Sequence, residues 1–340
     1  MRGALAFDIG GTRTEIVFQA PTPPTGSLHV YDETTRSLFG SGADRWVAIP
    51  AGETAKTWQS VESVLKRCAD LGLGRDDWVI GVGGGVVCDV ASFAASLYMR
   101  GCGLQLVPTT LLAMVDASLG GKTGIDFLGF KNLVGSFYPA GRICIDVSFL
   151  RSLPEREYNS GLAEVIKTAI IGDEELFSLL EGSQREIQAR EPAIVEEVIR
   201  RCLSVKGAIV QEDPREAGHR AVLNLGHTFG HALESATGFS GCTHGEAVAW
   251  GIGRSLAAGT RLGVTEPRFR ERVEAVLRLY GFRLEAGTGY GELAPAFQRD
   301  KKKRLGRVRL VIPRGLRDVV LQEVSPEDLA AVLQGNEVRK

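Results

Sequence analysis

The chain has 340 residues, of which 44% are hydrophobic and 24% charged, and 40 basic against 41 acidic side chains give a formal net charge of -1. A near-zero charge excludes binding to nucleic acid or an anionic membrane through bulk charge, and no apolar run reaches the roughly 20 residues of a membrane-spanning helix. We therefore expect a cytoplasmic globular protein with two domains, 1–150 and 151–340, at roughly 150 residues a domain.

The first glycine pair along the chain lies in Asp8-Ile-Gly-Gly-Thr12. This segment resembles the first phosphate loop of actin-like ATPases and sugar kinases. The second phosphate loop and the adenosine loop of those proteins are not evident downstream, so we interpret it as a turn between two short strands.

Up to about residue 150, short apolar runs alternate with helical stretches. Helices are predicted over 57–71 and from Gly83-Gly-Gly85 onward. Strands are predicted over 28–32, 46–49, 77–82, 103–108 and 142–146. Strands that alternate with helices form parallel sheets covered by those helices. The first half therefore predicts an α/β nucleotide-binding domain with a mainly parallel sheet.

The glycine triplet Gly83-Gly-Gly85 lies between a predicted strand and a predicted helix. Glycines there let the backbone approach a ligand closely, and the start of a helix favours a diphosphate. The triplet lacks the third glycine of G-x-G-x-x-G, and such turns also form for packing alone. Asp32, at the end of a predicted strand, fits either a ribose-binding carboxylate or an ordinary surface turn.

The second half is predicted to be mainly helical. Helices are expected over 161–171, 174–181, 192–212, 221–237, 245–262 and 268–280, with one late strand at 307–312. The six cysteines are widely spaced without a C-x-x-C pair, which favours buried, reduced thiols over disulfides or a cysteine-bound zinc.

Three of the five histidines lie between positions 227 and 244. His227 and His231 are spaced i, i+4 and share one helix face, and His244 follows a Gly/Ser/Thr turn. This pattern fits an open catalytic zinc site, but spacing alone equally fits two surface histidines and an unrelated third. Glu164, with Lys167 three residues on, interrupts an otherwise apolar helix. A charge there needs an ion or a partner, so Glu164 is predicted as the third metal ligand.

Several cations lie in apolar or glycine-rich surroundings, and Lys122 and Lys131 are expected on glycine-flanked loops. The set comprises Arg100, Lys122, Lys131, Lys167, Lys206, Arg220 and Lys301-Lys-Lys-Arg304. Any one of them could be a solubilising surface residue. Together they predict recognition of a substrate that bears phosphate, carboxylate or both.

A family resemblance runs in order from about Asp32 to Pro313. It is carried by Gly83-Gly-Gly-Val-Val-Cys-Asp89, Tyr98-Met-Arg100-Gly, Val107-Pro-Thr-Thr-Leu-Leu112, Val115-Asp-Ala-Ser-Leu-Gly-Gly-Lys-Thr123, Lys131-Asn132, Leu153-Pro-Glu-Arg, Gly161-Leu-Ala-Glu-Val-Ile-Lys167, Asn224-Leu-Gly-His-Thr-Phe-Gly-His231, His244-Gly-Glu-Ala-Val and Asp300-Lys-Lys. The sequence resembles the 3-dehydroquinate synthase family of sugar phosphate cyclases. It departs from that family at Cys88, where a glycine is usual, and over residues 1–26.

The resemblance implies zinc, or cobalt in its place, held by Glu164, His227 and His244, with His231 free for chemistry. It implies NAD contacts at Asp32, Glu53, Lys56, Gly84, Gly85, Val86, Asp89, Thr109, Thr110, Lys122, Lys131, Phe149, Leu150, Arg151 and Ser152. It implies substrate contacts at Arg100, Asp116, Lys122, Lys131, Asn132, Lys167, Lys206, Arg220, Asn224, His231 and one lysine of 301–303. A homodimer is the family expectation.

The implied reaction converts 3-deoxy-D-arabino-heptulosonate 7-phosphate to 3-dehydroquinate and phosphate. It proceeds by transient oxidation with NAD, β-elimination of phosphate, re-reduction and aldol closure. Alternatives are a sister cyclase that makes a valiolone, an inosose or an amino-dehydroquinate, and a metal-dependent polyol or glycerol-phosphate dehydrogenase. A non-catalytic zinc-stabilised binding protein would need no lysine set.

Overall fold

The structure is a computed structural model that describes residues 3–39, 44–238, 241–285, 293 and 308–334. It divides into two compact units. The first comprises Met1–Leu153 together with Lys206–Glu216, and the second comprises Pro154–Val205 together with Ala217–Lys340.

The first unit is built on a seven-stranded sheet. Its strands are β1 (Leu5–Ile9), β2 (Thr12–Phe18), β3 (Leu28–Asp32), β4 (Trp46–Ile49), β5 (Trp78–Gly83), β6 (Gly103–Pro108) and, after two strands of a separate hairpin, β9 (Arg142–Ile145). The spatial order is β1-β2-β9-β6-β5-β3-β4. Every pair is parallel except β1 with β2. The prediction of a mainly parallel α/β sheet is therefore confirmed.

Three helices accompany this sheet: α1 (Glu33–Phe39), α2 (Trp58–Asp70) and α3 (Gly85–Leu97). Helix α2 begins where Thr57 accepts a hydrogen bond from the Ser60 amide, and it buries Val61, Val64 and Cys68 on one face. Helix α3 is apolar on nearly all sides and lies close to β5, since a Cβ added at Gly81 would lie 2.9 Å from that of Ala91. This close contact places the start of α3 directly after β5.

The turn predicted near the N-terminus is confirmed. Ile9 pairs with Thr12 across two glycines, Gly10 and Gly11, whose φ angles are 55° and 88°. Two consecutive residues of positive φ form the turn that matches the twist of a two-residue hairpin. The segment therefore links β1 to β2.

The prediction that Lys122 and Lys131 lie on loops is wrong. They lie on a second antiparallel hairpin, β7 (Lys122–Phe127) and β8 (Phe130–Phe137), joined through Leu128 and Gly129. Gly124, one of the glycines that suggested a loop, instead permits close strand approach: a Cβ there would lie 2.8 Å from the Val134 carbonyl oxygen.

The second unit is mainly helical, as predicted. It contains α4 (Glu155–Gly172), α5 (Glu174–Gly182), α6 (Gln184–Gln188), the first part of α7 (Pro192–Glu212), α8 (His227–Ala236), α9 (His244–Arg261), α10 (Pro267–Leu279), the hairpin of β10 (Val308–Gly315) with β11 (Asp318–Val324), and α11 (Pro326–Leu333). One cluster of its core joins Phe229 of α8 and Trp250 of α9 to Leu310 and Ile312 of β10. Helices and hairpin thus share one apolar interior.

One predicted helix, 221–237, is interrupted. Residues His219–Asn224 form a 3-10 turn, and Gly226, with φ 81°, caps a separate helix that begins at His227. Left-handed backbone is easy for glycine and ends regular helix, which explains the break. The new helix start places His227 in the first turn of α8.

All six cysteines are free, and five of them are buried, as predicted. Within the described ranges, the helices are all too short or too polar to span a lipid bilayer.

Candidate active site

Three helices of the second unit bring the predicted metal ligands together. Glu164 Oε1 lies 3.7 Å from His227 Nε2 and 3.4 Å from His244 Nε2. One potential ligand atom from each residue lies within 4.8 Å of the others. One carboxylate and two imidazoles, with a coordination position left over, form the donor set of a catalytic zinc site.

Close packing of α9 on α4 and α8 creates this arrangement. A Cβ added at Gly245 would lie only 2.1 Å from the Ser160 carbonyl oxygen, and the Gly245 amide donates to Ser160 Oγ at 3.0 Å. Ser160 precedes Glu164 by one helical turn. On the other side, a Cβ at Gly226 would lie 2.7 Å from the Val248 carbonyl oxygen. Gly245 therefore lets the start of α9 approach α4, and Gly226 lets the start of α8 approach α9.

Both histidine rings have a neighbour that fixes their orientation. His227 Nδ1 lies 3.2 Å from the Leu225 carbonyl oxygen, so an Nδ1–H donates there and Nε2 is left for an ion. His244 Nδ1 lies 3.6 Å from Glu234 Oε1, a buried carboxylate on α8. The sequence analysis did not single out Glu234, although its i+7 spacing from His227 places both on one helix face.

The first turn of α9, which carries His244, is held by a capping box. Thr243 Oγ1 accepts from the Glu246 amide, and Glu246 Oε2 accepts from the Thr243 amide at 2.6 Å. Arg156 of α4 lies 2.9 Å from the same carboxylate oxygen. Within the His-Gly-Glu motif, the glutamate thus has a structural role.

Glu164 is 0% exposed, and neither carboxylate oxygen makes a hydrogen bond of normal geometry. Burial alone would raise its pKa, but Lys167, which pairs with Oε2, and the two histidines hold the pKa well below its usual range. A buried, ionised carboxylate with an unsatisfied oxygen beside two imidazoles fits a divalent cation.

The two histidines differ in their electrostatics. Burial, and then the Lys167 ammonium, lowers the pKa of His227 to about 3. Burial would also lower the pKa of His244, but Glu164 and Glu234 raise it to about 9. His227 therefore offers a neutral lone pair, whereas a metal ion must displace a proton from His244.

The remaining predicted residues of the second unit lie on the same few elements. The His231 ring centroid lies 5.3 Å from that of His227, and the His231 side chain is exposed. Lys167 and Arg220 are buried, and Arg220 and Asn224 lie in the 3-10 turn before α8. Lysines 301–303 lie outside the described residues.

In the first unit, five of the predicted nucleotide residues follow the carboxyl ends of β5 and β6: Gly84, Gly85, Val86, Thr109 and Thr110. Gly84 caps α3 without a side-chain hydrogen bond, and the first amides of a helix have no partner within it. The Thr109 amide donates to the Gly83 carbonyl at 2.9 Å, and a Cβ on Gly84 would lie 3.2 Å from Thr110 Cγ2. Gly85 and Val86 begin α3. This edge suits a diphosphate.

A polar network joins five more predicted residues to one that was missed. Lys56 Nζ lies 2.5 Å from Asp89 Oδ2 and donates to Asn132 Oδ1, and Lys131 lies 3.8 Å from Glu53. The missed residue, Asp126, accepts from the Asn132 amide at 2.8 Å, and its own amide donates to the Lys56 carbonyl.

The buried pair in this network has shifted pKa values. Burial raises the pKa of Asp89 to about 6, and the Lys56 ammonium offsets only part of that effect. Burial would lower the pKa of Lys56, but the Asp89 carboxylate outweighs that effect, and the pKa of Lys56 is raised. Cys88, the departure from the family motif, is buried with Sγ 3.9 Å from the Gly83 carbonyl oxygen. The thiol is accommodated without displacing Asp89 from Lys56.

Two further ion pairs involve predicted substrate residues. Lys206 Nζ lies 2.5 Å from Asp116 Oδ1 and donates to the Asp116 carbonyl at 2.6 Å. Lys122 pairs with Glu216, which the sequence analysis did not single out. Asp116 lies in a π-helical turn and Glu216 has a φ of 56°, both uncommon backbone states that concentrate at functional sites.

Three predicted contacts have local structural roles as well. Asp32 Oδ1 accepts from the Thr35 amide at 2.7 Å and so caps α1. Arg100 has a φ of 66° at the end of a 3-10 turn. The segment Val147–Ser152, which holds the predicted residues 149–152, is another 3-10 turn, and Phe149 packs on the core cluster that contains Tyr31. Their cofactor and substrate roles stay predictions.

Two family models match the chain, described as 3-dehydroquinate synthase N-terminal over residues 46–160 and 3-dehydroquinate synthase C-terminal over residues 161–303. The 3-dehydroquinate synthase of Acidithiobacillus ferrooxidans is 43% identical over 298 residues, which is 85% of this chain and 80% of that protein.

Solved structures give the same fold. ValA, the 2-epi-5-epi-valiolone synthase of Streptomyces hygroscopicus subsp. jinggangensis with NAD+ and Zn2+ bound, has a TM-score of 0.85 at 31% identity, covering 94% of this chain and 95% of that one. A 2-deoxy-scyllo-inosose synthase complexed with carbaglucose-6-phosphate, NAD+ and Co2+ has a TM-score of 0.86 at 23% identity, covering 98% of this chain and all of that one, and so shows the fold alone. Together with the models that cover both halves, the relatives favour dehydroquinate synthesis over the sister cyclases. The chain belongs to the 3-dehydroquinate synthase family.

Proposed function

We propose that this chain converts 3-deoxy-D-arabino-heptulosonate 7-phosphate to 3-dehydroquinate and phosphate, with NAD and a zinc ion as cofactors. The observation that carries the proposal is the convergence of the buried Glu164 with His227 and His244, which are both partly exposed, in a member of this family. Glu164 Oε2 pairs with Lys167, but Oε1 has no hydrogen bond and faces the two histidine nitrogens, where an ion would satisfy it.

Glu164, His227 and His244 would hold the metal, and Gly84, Gly85, Val86 and the Lys56–Asp89 pair would hold NAD. When bound, the metal supplies a Lewis acid for a substrate hydroxyl and NAD supplies a reversible hydride acceptor. The ionised Glu164 and the neutral His227 suit a cation, and the start of α3, which has no side-chain cap, suits the cofactor diphosphate.

The cations bind the anionic groups of the substrate. Lys122 and Lys131, on neighbouring strands of the β7–β8 hairpin, contact the phosphate together with Asn132. Arg220, a buried guanidinium, pairs with the carboxylate, because a planar fork matches a carboxylate with two hydrogen bonds. His231 is the proposed proton-transfer group. Its exposed ring lies 5.3 Å, centroid to centroid, from the ring of His227, a proposed metal ligand.

The direct test measures phosphate release from the heptulosonate phosphate with NAD in catalytic amount, together with the absorbance of NADH. A synthase releases phosphate without net accumulation of NADH, because the hydride returns to the substrate. NADH accumulating in step with turnover would instead identify a polyol or glycerol-phosphate dehydrogenase, the alternative with a related fold. Absence of phosphate release from the zinc-loaded protein would contradict the proposal.

The sister cyclases are separated by substrate. Arg220 is 3% exposed, and its planar guanidinium matches a carboxylate with two hydrogen bonds, so we expect it to favour a sugar phosphate that bears a carboxylate over one that lacks it. Turnover of a heptulose phosphate that lacks the carboxylate should be lower by about 10- to 150-fold, at roughly 1.5–3 kcal/mol for a charged hydrogen-bonding group. Equal turnover of the two substrates would favour a sister cyclase.

We also propose that the enzyme is a homodimer, the family expectation. The β7–β8 hairpin exposes Phe127, Leu128, Phe130, Leu133 and Phe137, each at least 46% accessible. Apolar side chains so concentrated are typical of protein interfaces. Light scattering coupled to gel filtration should give twice the chain mass, and a monomer mass at micromolar concentration would refute the proposal.

A further inference from the structure

Glu234 is a buried acid that neither the predicted metal ligands nor the predicted substrate contacts include. It is 4% exposed, on the face of α8 that also carries His227 and His231. Burying a carboxylate is costly without a compensating charge or hydrogen bond. Its Oε1 lies 3.6 Å from Nδ1 of His244, whose other nitrogen, Nε2, lies 3.4 Å from Glu164.

The two histidines of the metal group are therefore held in different ways. His227 Nδ1 faces a main-chain carbonyl, that of Leu225, at 3.2 Å. His244 Nδ1 faces a side-chain carboxylate. A main-chain carbonyl cannot be removed by substitution, but a carboxylate can. The contact between Glu234 and His244 can therefore be tested by substitution of Glu234.

We propose that Glu234 is a positioning residue of the metal centre. Its carboxylate accepts a hydrogen bond from His244 Nδ1–H and so directs Nε2 of that ring toward the ion. The separation of 3.6 Å is an ion-pair distance, longer than a hydrogen bond, and we expect the contact to shorten to a hydrogen bond when Nε2 holds a metal. A carboxylate in this position fixes the tautomer of a ligand histidine and makes the ring a stronger donor.

Charge balance around the ion supports this role. Lys167 pairs with Oε2 of Glu164, so an ammonium partly neutralises the one carboxylate ligand. Glu234 supplies a second negative charge from the opposite side of His244. A divalent ion would then be surrounded by two carboxylates and one ammonium rather than by one of each, which favours retention of the cation.

The inference rests on the proposed metal centre but not on the proposed reaction, so its test measures metal binding. Zinc affinity is measured by competition with a chromophoric chelator for the full-length wild type, Glu234→Ala and Glu234→Gln. The visible absorption spectrum of the Co2+-loaded forms reports ligand geometry. Glu274→Gln is the matched control, because Glu274 is another buried glutamate, bound by Arg270 and Arg278 on its own helix.

Glu234→Ala should weaken zinc binding by about 10–100-fold and shift the Co2+ absorption bands. Glu234→Gln should recover part of that loss, because its amide oxygen still accepts the hydrogen bond without the charge. Glu274→Gln should match the wild type in both measurements. Wild-type zinc affinity and an unshifted Co2+ spectrum in Glu234→Ala would overturn the proposal.

A merely structural role is separated by thermal unfolding of the metal-free proteins. If Glu234→Gln melts well below the wild type without metal yet binds zinc with wild-type affinity, Glu234 supports the fold only, and the proposal is overturned. A wild type that binds zinc tightly but releases no phosphate from the heptulosonate phosphate would contradict the proposed function and leave the role of Glu234 standing.

Discussion

The metal group in the helical unit and the polar network in the α/β unit are built in different ways. Glu164, His227 and His244 lie on regular helices whose spacing is set by glycines at main-chain contact distance. Lys56 lies at the end of a 3-10 turn, and Asn132 lies in β8 with the left-handed φ of 54°. The first arrangement depends on helix packing, and the second depends on side-chain bonds that hold a strained hairpin. Substitutions should therefore act differently in the two units.

The largest effect is expected at Glu164. Glu164→Ala should lose stoichiometric zinc and lower kcat/KM by roughly a thousand-fold or more, since a Lewis acid contributes several kcal/mol and about 1.4 kcal/mol is tenfold. It should also destabilise the fold by about 3–5 kcal/mol, because the buried ammonium of Lys167 loses the carboxylate with which it pairs. Metal analysis and urea unfolding measure the two losses separately.

The double variant Glu164→Ala/Lys167→Met is the control for that charge. It should regain most of the stability but none of the zinc. Full zinc occupancy in either variant would contradict the ligand assignment.

A second comparison sets one residue of each unit side by side. His231→Ala should lower kcat by about 10²–10⁴-fold, the usual contribution of a proton-transfer group. Lys122→Ala should lower it by about 10²–10³-fold through loss of charge stabilisation. Both variants should retain zinc and NAD, which metal analysis and NAD titration check. Unchanged turnover in either one would remove the role assigned to that residue.

Glu216 allows a sharper test of Lys122. The side chains of Lys122 and Glu216 form an ion pair. The effect of the double variant Lys122→Ala/Glu216→Gln on kcat should therefore differ from the sum of the effects of the two single variants. Fully additive losses would show that the pair does not act as one unit.

Sequence predictability also differed between the two units. The histidine cluster and a charge in an apolar helix are local signals that marked the region, and the family resemblance selected Glu164, His227 and His244. The structure brings one potential ligand atom of each of these three residues close together. Glu234 carried the same helical periodicity but was overlooked. Glu216 and Asp126 gave no local signal. Their contacts with Lys122 and Asn132 depend on the β7–β8 hairpin, and its glycines led to a prediction of loops. The break before His227 was missed because one left-handed glycine decides it.

The buried pair of the α/β unit predicts a dependence of stability on pH. The pKa of Asp89 rises from 3.8 to about 6 on folding, so its protonated form is favoured in the folded state and stability is lost as the pH rises through that range. Relative to Asp89→Asn, the wild type should lose roughly 2 kcal/mol between those two pH values, at 1.36 kcal/mol per pKa unit and allowing for partial exposure. Urea unfolding of both proteins across the range measures the difference. A difference that does not vary with pH would contradict the shifted pKa.

The smallest effects are expected from substitution of two closely packed glycines, one in each unit. A Cβ at Gly245 would lie 2.1 Å from the Ser160 carbonyl oxygen, and one at Gly207 would lie 2.3 Å from Phe7 Cζ. Each alanine variant should cost about 1–3 kcal/mol through overpacking. Gly245→Ala should also weaken zinc binding, because its obstacle is rigid main chain beside His244, whereas Gly207→Ala should leave zinc binding unchanged, because a phenyl ring can move. Gly182→Ala, which would meet no atom within 4 Å, is the control and should be neutral. Equal zinc affinity in all three variants would show that helix packing at Gly245 does not set the geometry of the metal group.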